Sequence, residues 1–162
     1  QSGVQLSDGA TNIMPVAPHR AAADQALTEQ QKRENVDSVH RAWKVHFDDA
    51  THSLMHGYYQ GWDLHPAQLP TRYAAVYAFF LSALPAATTR LRNFVEKAAQ
   101  ATLVGDVFDD AATGQGLLNF FIRGVSSGAL TLDEARATGL SVEELHSRSF
   151  LRILEGRRAK PL

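Results

Sequence analysis

The sequence contains no cysteine among its 162 residues. Disulfide bonds, thiolate nucleophiles and cysteine-ligated zinc or iron–sulfur sites are therefore excluded from this chain. A strong excess of either charge is also missing, since 16 Lys and Arg residues stand against 17 Asp and Glu residues. This balance argues against a nucleic-acid-binding protein, which normally carries a basic excess. A chain without cysteine fits the cytoplasm, and we expect that location.

Long apolar runs and an N-terminal targeting signal are missing as well. The longest apolar candidate, residues 73–84, contains Ser82 and is shorter than the roughly 18 residues that a membrane span needs. The first residues show no signal-peptide pattern, and the chain starts at Gln1 rather than at a methionine. We therefore expect no membrane partner, and we interpret the chain as a fragment of a longer protein.

The clearest element that the sequence predicts is a long helix. Thr28 and Gln31 form a capping-box pattern at its start, and Gly57 is placed to end it. Between them, apolar side chains recur at three- and four-residue steps and form one stripe: Val36, Val39, Trp43, Phe47, Ala50 and Leu54.

Short strands are predicted on both sides of this helix. Residues 3–16 have β-like composition around a Ser-Asp-Gly turn, and residues 58–65 are aromatic and end at Pro66. Residues 71–84 are apolar nearly all round, which predicts a buried helix that Pro85 ends.

Further helices are predicted after Pro85, over residues 86–100 and around 117–125. Two short ones begin with capping boxes, at Thr131 with Glu134 and at Ser141 with Glu144. The order strand, helix, strand, helix is typical of a parallel α/β fold. It predicts a βαβα part in residues 1–84 and a helical extension in residues 85–162.

One motif in the chain carries a family resemblance. Residues 60–69 resemble the last barrel strand of the HpcH/HpaI aldolase and citrate lyase β-like superfamily. Members of that group carry a Gly-x-x-x-His-Pro-x-Gln pattern there, here Gly61, His65, Pro66 and Gln68. The blocks at residues 6–15, 39–43 and 69–73 are similar to a bacterial branch described only as aldolase-like. The likeness covers residues 3–84 well and the helical tail more loosely.

The resemblance implies a fold and a chemistry. The fold would be the last two strands and helices of a (β/α)₈ TIM-like barrel, followed by a mostly helical extension. The chemistry would be that of a lyase that binds Mg²⁺ or Mn²⁺. The cation holds a pyruvate-type enolate and stabilises its charge while a C–C bond beside it forms or breaks.

In such families the metal-binding acidic residues and the substrate-binding arginine precede the region represented here. No matching constellation occurs in this chain, so no catalytic residue or metal ligand is assigned to it. We expect the Mg²⁺ or Mn²⁺ ligands outside the chain and expect the chain alone to be inactive.

Five residues are candidates for substrate binding, and four of them have a structural alternative. They lie near the two predicted strand ends, where barrel enzymes place functional groups: Asp8, Asn12, Asp63, His65 and Gln68. The alternatives are turn formation for Asp8, a strand-to-helix turn for His65, a helix start for Gln68, and a side chain pointing away from the site for Asp63.

Four histidines on the long helix are possible metal ligands by residue type. His52 and His56 have the i, i+4 spacing that metal sites use, but no flanking glutamate accompanies them. A solvated helix face explains this pair better. His40 and His46 lie on different faces and do not form a pair.

Three functions remain open from the sequence. The first is the C-terminal part of an aldolase or lyase, whose partners would be the N-terminal remainder of the barrel, further copies of the chain and a small 2-oxo acid. The second is a mostly helical interaction or oligomerisation module, residues 28–162, without catalytic activity. The third is a relative that has lost lyase chemistry and binds a phosphoenolpyruvate-type ligand.

Overall fold

The computed structural model describes residues 6–59, 61–103 and 111–158, and its regular elements are helices. They are α1 (Glu29–Met55), α2 (Leu69–Leu103), α3 (Ala111–Ser126), α4 (Leu132–Arg136), α5 (Val142–Ser147) and α6 (Phe150–Arg158), with a 3₁₀ turn at Pro66–Gln68. None of the described residues lies in a β-strand, and the chain has only an isolated bridge between Ala22 and Gln25 there. The prediction of a barrel segment is therefore wrong.

The two predicted strands do not form because one side chain binds their backbone. The amide oxygen of Gln68 accepts hydrogen bonds from the backbone N–H groups of Leu64 (2.8 Å) and His65 (3.2 Å). Its amide nitrogen donates to the carbonyl oxygens of Thr11 (3.0 Å) and Ile13 (3.3 Å). Backbone groups that would pair in a ladder are thus satisfied by a side chain, and both segments remain irregular.

The predicted long helix is confirmed as α1. Thr28 is its N-cap, and the capping box with Gln31 is formed in both directions. The buried face differs from the predicted apolar stripe, because Val36 is 52% exposed whereas the polar residue His46 is fully buried. The buried face of α1 therefore includes a polar residue that apolar periodicity does not predict.

The helix α2 continues through Pro85, where the sequence predicted a break. Proline removes one backbone hydrogen bond, the one to the carbonyl four residues earlier, which belongs to Leu81. Leu81 is 47% exposed, so this turn of the helix lies at the surface. On the C-terminal side the hydroxyl of Thr89 donates to the Pro85 carbonyl at 3.1 Å.

Much of the apolar surface of α2 is exposed, against the prediction of a buried helix. Leu69, Tyr73 and Tyr77 are 44%, 57% and 39% exposed. Among the described residues, the stretch Pro66–Ala98 is long and apolar enough to cross a bilayer, and 22% of its most apolar window is buried. One such helix is weak evidence for a membrane span, because core helices of soluble proteins have the same length and composition.

The chain divides into two compact units, Gln1–Phe79 and Phe80–Leu162. In the first unit, Ala42, Ala50, Leu54 and Ala75 are buried beside polar residues. Trp43 of α1 donates its indole N–H to the carbonyl of Ala67 at 2.8 Å. This bond connects α1 to the 3₁₀ turn.

The second unit has an aromatic core. In this unit α3 packs against α4 and α6, and α5 packs against α6. The rings of Phe94 and Phe150 lie 5.5 Å apart. Gly114 of α3 makes this packing possible, because a Cβ atom there would overlap the rings of Phe150 and Phe94. A residue without a side chain at position 114 therefore allows α3 to approach these two rings closely.

The short helices of the second unit begin as the sequence predicts. The capping boxes of Thr131 with Glu134 and of Ser141 with Glu144 are both formed. Glu144 also binds Arg157 of α6 through two contacts of 2.5 and 2.8 Å. Arg157 donates in addition to the carbonyl of Gly139 at 2.8 Å, so a single ion pair joins α6 to α5 and to the turn before it.

Candidate functional site

A polar cleft of about 250 Å³ lies in the first unit. It is formed by the segment before α1, by the C-terminal half of α1 and by the first turn of α2. Its lining residues are Asp8, Gly9, Ala10, Thr11, Asp49, Ala50, His52, Ser53 and Arg72. Two acidic residues and one arginine therefore line the same small volume.

The two carboxylates are held by hydroxyl donors. Ser53 donates to Asp8, with both carboxylate oxygens at 2.8 Å, and its hydroxyl is also 2.9 Å from the carbonyl of Asp49. The hydroxyl of Thr11 donates to Oδ2 of Asp49 at 2.6 Å. These bonds fix the segment before α1 to the helix. They also leave each carboxylate with free acceptor capacity, because an ionised carboxylate has about four lone-pair sites.

Arg72 supplies the positive charge of the cleft. Its Nε donates to Oδ1 of Asp63 at 3.1 Å, and its Nη2 donates to the carbonyl of Trp62 at 3.2 Å. A Cβ atom on Gly61 would lie 2.5 Å from Nη1 of Arg72. The missing side chain of Gly61 therefore provides the space that the guanidinium occupies.

Behind Arg72 lies a buried histidine. The side chain of His46 is 0% exposed, and its Nε2 is 2.8 Å from Oδ1 of Asp63. That distance is in hydrogen-bond range, but the ring is oriented so that neither nitrogen completes a well-aligned hydrogen bond with a described residue. We therefore regard the contact as electrostatic, with a strength that depends on the charge of the ring.

The surroundings of His46 favour its neutral form. Burial lowers the pKa of His46 most, and the charge of Arg72 lowers it further, while Asp63 and Asp49 act in the opposite direction. The net result is a pKa below the ordinary value of 6.5. The ring is therefore mostly neutral at pH 7, and the negative charge of Asp63 is balanced by Arg72.

The motif that carries the family resemblance folds as one hydrogen-bonded turn. Nδ1 of His65 accepts a hydrogen bond from the backbone N–H of Ala67 at 3.1 Å, and Pro66 occupies the first position of the 3₁₀ turn. Gln68 is 0% exposed and binds four backbone groups. His65 and Gln68 thus build the turn and connect it to the segment before α1, and neither lines the cleft.

The other three candidates occupy different positions. Asp8 lines the cleft, Asp63 binds Arg72 at its edge, and Asn12 is exposed and does not line it. Sequence reasoning missed Asp49, Arg72 and His46. Asp49 was hidden in the polar face of α1, and His46 was dismissed because it had no histidine partner. Arg72 belongs to the 69–73 block of the resemblance, but no spacing or charge pattern in that block marks it as a site residue.

The described residues do not assemble a metal site. Within ranges 6–59, 61–103 and 111–158, no group of three or more His, Asp or Glu side chains could hold a metal ion. His52 and His56 are close, with ring centroids 4.1 Å apart, but Nδ1 of His56 contacts the carbonyl of His52 at 2.8 Å. This pair satisfies itself locally on an exposed part of the helix.

Comparison with known proteins gives one match. A family model described as a domain of unknown function (DUF6986) matches residues 1–153. No curated protein and no solved structure matches the sequence. Because the match includes the cleft of the first unit and most of the second unit, the chain belongs to the DUF6986 family.

Proposed function

We propose that this chain is part of a cytoplasmic lyase related to the HpcH/HpaI aldolases and citrate lyase β-like enzymes. It contributes a cleft that binds a small 2-oxo acid through Arg72. The reaction of the complete protein would form or break a C–C bond beside the 2-oxo group. The observation that carries the proposal is that the sequence blocks bearing the family resemblance contact one another beside this cleft, to which residues 6–15 and 69–73 contribute lining residues.

These contacts are made by specific hydrogen bonds. Gln68 of the His-Pro-x-Gln motif binds the backbone of Thr11 and Ile13 in the upstream block. Trp43 of the helical block binds Ala67 within the motif. Gly61, the first residue of the motif, makes room for the guanidinium of Arg72. Each block therefore has a role in placing the groups that line or border the cleft.

The chemistry of Arg72 suits a carboxylate ligand. A guanidinium has five N–H donors, and Asp63 and Trp62 accept two hydrogen bonds from it. Its remaining donors can bind a carboxylate in the planar two-point geometry that makes such pairs strong.

A divalent cation does not fit the described residues. Mg²⁺ requires near-octahedral oxygen coordination, and the carboxylates that line the described cleft are Asp8 and Asp49. Among the described residues, no third His, Asp or Glu side chain joins these two carboxylates as a metal ligand. No step of the proposal therefore uses a metal held by these residues, and a Mg²⁺ or Mn²⁺ site elsewhere in the complete protein stays a prediction.

Titration of the chain with pyruvate, followed by NMR chemical shifts, tests the proposal. We expect saturable shifts at Thr11, Ser53 and Arg72, and roughly tenfold weaker binding in Arg72→Gln because a charge-assisted bond is lost. Arg41→Gln, which changes an exposed arginine of α1, is the matched control and should bind as the wild type does. Equal affinity of both variants, or no saturable binding, would contradict the proposal.

A second function is favoured by the exposed apolar side chains of α2. Leu69, Tyr73 and Tyr77 recur every four residues and lie on one side of the helix. Such a row fits an oligomerisation module in which a second copy of the chain packs on it. Sedimentation velocity should then show concentration-dependent dimers that disappear in Tyr73→Ser/Tyr77→Ser but persist in the control Leu132→Ser. A monomer at all concentrations would exclude this function.

A further inference from the structure

One carboxylate oxygen near the cleft is shared by two basic side chains. Oδ1 of Asp63 lies 2.8 Å from Nε2 of His46 and 3.1 Å from Nε of Arg72. The Asp63 and Arg72 side chains are 13% and 18% exposed, and that of His46 is fully buried. Low exposure strengthens these interactions, because water screens them less.

We propose that His46 and Asp63 are positioning residues, which hold the guanidinium of Arg72 at the cleft and release it when His46 gains a proton. The inference rests on the proposed function, in which Arg72 binds the carboxylate of the ligand. Neither residue lines the cleft, so both act through Arg72.

The neutral state of His46 corresponds to the geometry of the structure. Asp63 then carries one negative charge, Arg72 is its single cationic partner, and the Nε hydrogen bond fixes the plane of the guanidinium. Trp62 fixes a second point of that plane. With Nε and Nη2 both anchored, the guanidinium cannot rotate freely, and less conformational entropy is lost when a ligand binds.

Protonation of His46 changes this balance. The proton comes from solvent and adds a second positive charge beside Oδ1 of Asp63, so the imidazolium competes with Arg72 and repels it. The charged groups that act on His46 are Arg72 from α2, Asp63 from the segment before the 3₁₀ turn and Asp49 from α1 itself. Since burial and Arg72 lower the pKa of His46 below its ordinary value, release requires acidic pH.

The test is an NMR titration of the full chain between pH 7.5 and 5, which follows the His46 ring and the Nε–H signal of Arg72. We expect the two signals to change with one common midpoint, and pyruvate affinity to fall across the same range. In His46→Gln, the Arg72 signal should become independent of pH over this range. In Asp63→Asn, affinity at pH 7.5 should fall roughly tenfold.

Several outcomes would overturn the inference. An Arg72 signal with the same pH profile in His46→Gln as in the wild type excludes the coupling. The positioning role of Asp63 is tested at a single pH by comparing the wild type with Asp63→Asn. An Arg72 Nε–H signal that does not change between them excludes this role.

Failure of the proposed function has a different signature. If pyruvate does not bind while the signals of His46 and Arg72 still titrate together, the positioning inference stands and the 2-oxo acid assignment falls. If a variant folds poorly, the wild-type titration alone tests the coupling. Separate midpoints for the His46 and Arg72 signals would then contradict it.

Discussion

The two units of this chain are stabilised by different kinds of interaction. Among the described residues, the five largest apolar side chains with almost no exposure all belong to the unit Phe80–Leu162: Phe80, Phe121, Phe150, Leu91 and Leu118. In the unit Gln1–Phe79, the largest fully buried side chains are His46 and Gln68. Apolar packing is non-directional and mainly supplies stability, whereas polar contacts fix orientation. The comparison indicates that the first unit is organised to place groups and the second to stay folded.

The largest effect should follow from removing an aromatic ring from the second unit. Phe150 is 0% exposed and packs on Phe94 and Gly114. Phe150→Ala should lower the free energy of unfolding in urea by about 3–5 kcal/mol, the usual cost of such a cavity. Pyruvate affinity should not change while the chain is folded, because no residue of the cleft is altered.

The neighbouring residue provides the control. Leu151 lies on the same helix and is 57% exposed, so Leu151→Ala should cost less than about 0.5 kcal/mol. Similar losses in the two variants would show that the second unit lacks the tightly packed core described above.

A smaller loss of stability, with a loss of binding, should follow from Gln68→Leu in the first unit. The leucine would occupy a similar volume but leave four backbone groups without their partner. We expect the free energy of unfolding to fall by about 2–3 kcal/mol and pyruvate affinity to fall too, because Thr11 is no longer held at the cleft. Gln30→Leu, on the exposed side of α1, should leave both unchanged. If Gln68→Leu retained full affinity, the polar bonds would be unnecessary for placing the cleft.

The smallest effect should come from the partly exposed ion pair of Glu144 and Arg157. Their side chains are 21% and 35% exposed, so water screens the pair and Arg157→Gln should cost only about 1 kcal/mol. Burial acts to raise the pKa of Glu144, but the bonds from Arg157 and from the Ser141 backbone outweigh it, so this pKa is lowered from 4.5.

That shift gives the prediction a pH dependence. A carboxylate with a lowered pKa in the folded state stabilises the fold fully above its ordinary value, and this contribution is lost as the pH falls through the folded value. The stability difference between wild type and Arg157→Gln should therefore be constant above about pH 5 and shrink in more acidic solution. Arg152→Gln, an exposed change on the same helix, should show no difference at either pH.

The sequence predicts where the helices begin far better than it predicts which distant residues contact one another. Thr28, Thr131 and Ser141 each specify a helix start through a residue three positions later, and all three starts are confirmed. The expected strands were wrong because composition cannot show that Gln68 binds residues more than fifty positions away. The break at Pro85 was wrong because one missing hydrogen bond is tolerated where the turn of the helix lies at the surface.

The sequence predicts only some residues of the candidate site. Asp8 and Asp63 were named because they stand near the motif and the turn, and the structure places one in the cleft and the other at its edge. His46 and Arg72 act through a contact with Asp63 that joins three separate segments. Such a contact depends on tertiary structure and leaves no periodic or local pattern in the sequence.

The capping boxes have a consequence for how the chain folds during synthesis. Each box is complete within four consecutive residues, so it can form as soon as that short stretch leaves the ribosome, before any distant partner exists. Glu144 then has two successive tasks. It first fixes the start of α5 through Ser141, and thirteen residues later it receives Arg157. The order of translation is thus also an order of assembly. The local contact of Glu144 with Ser141 forms first, and the long-range contact of the same carboxylate with Arg157 follows.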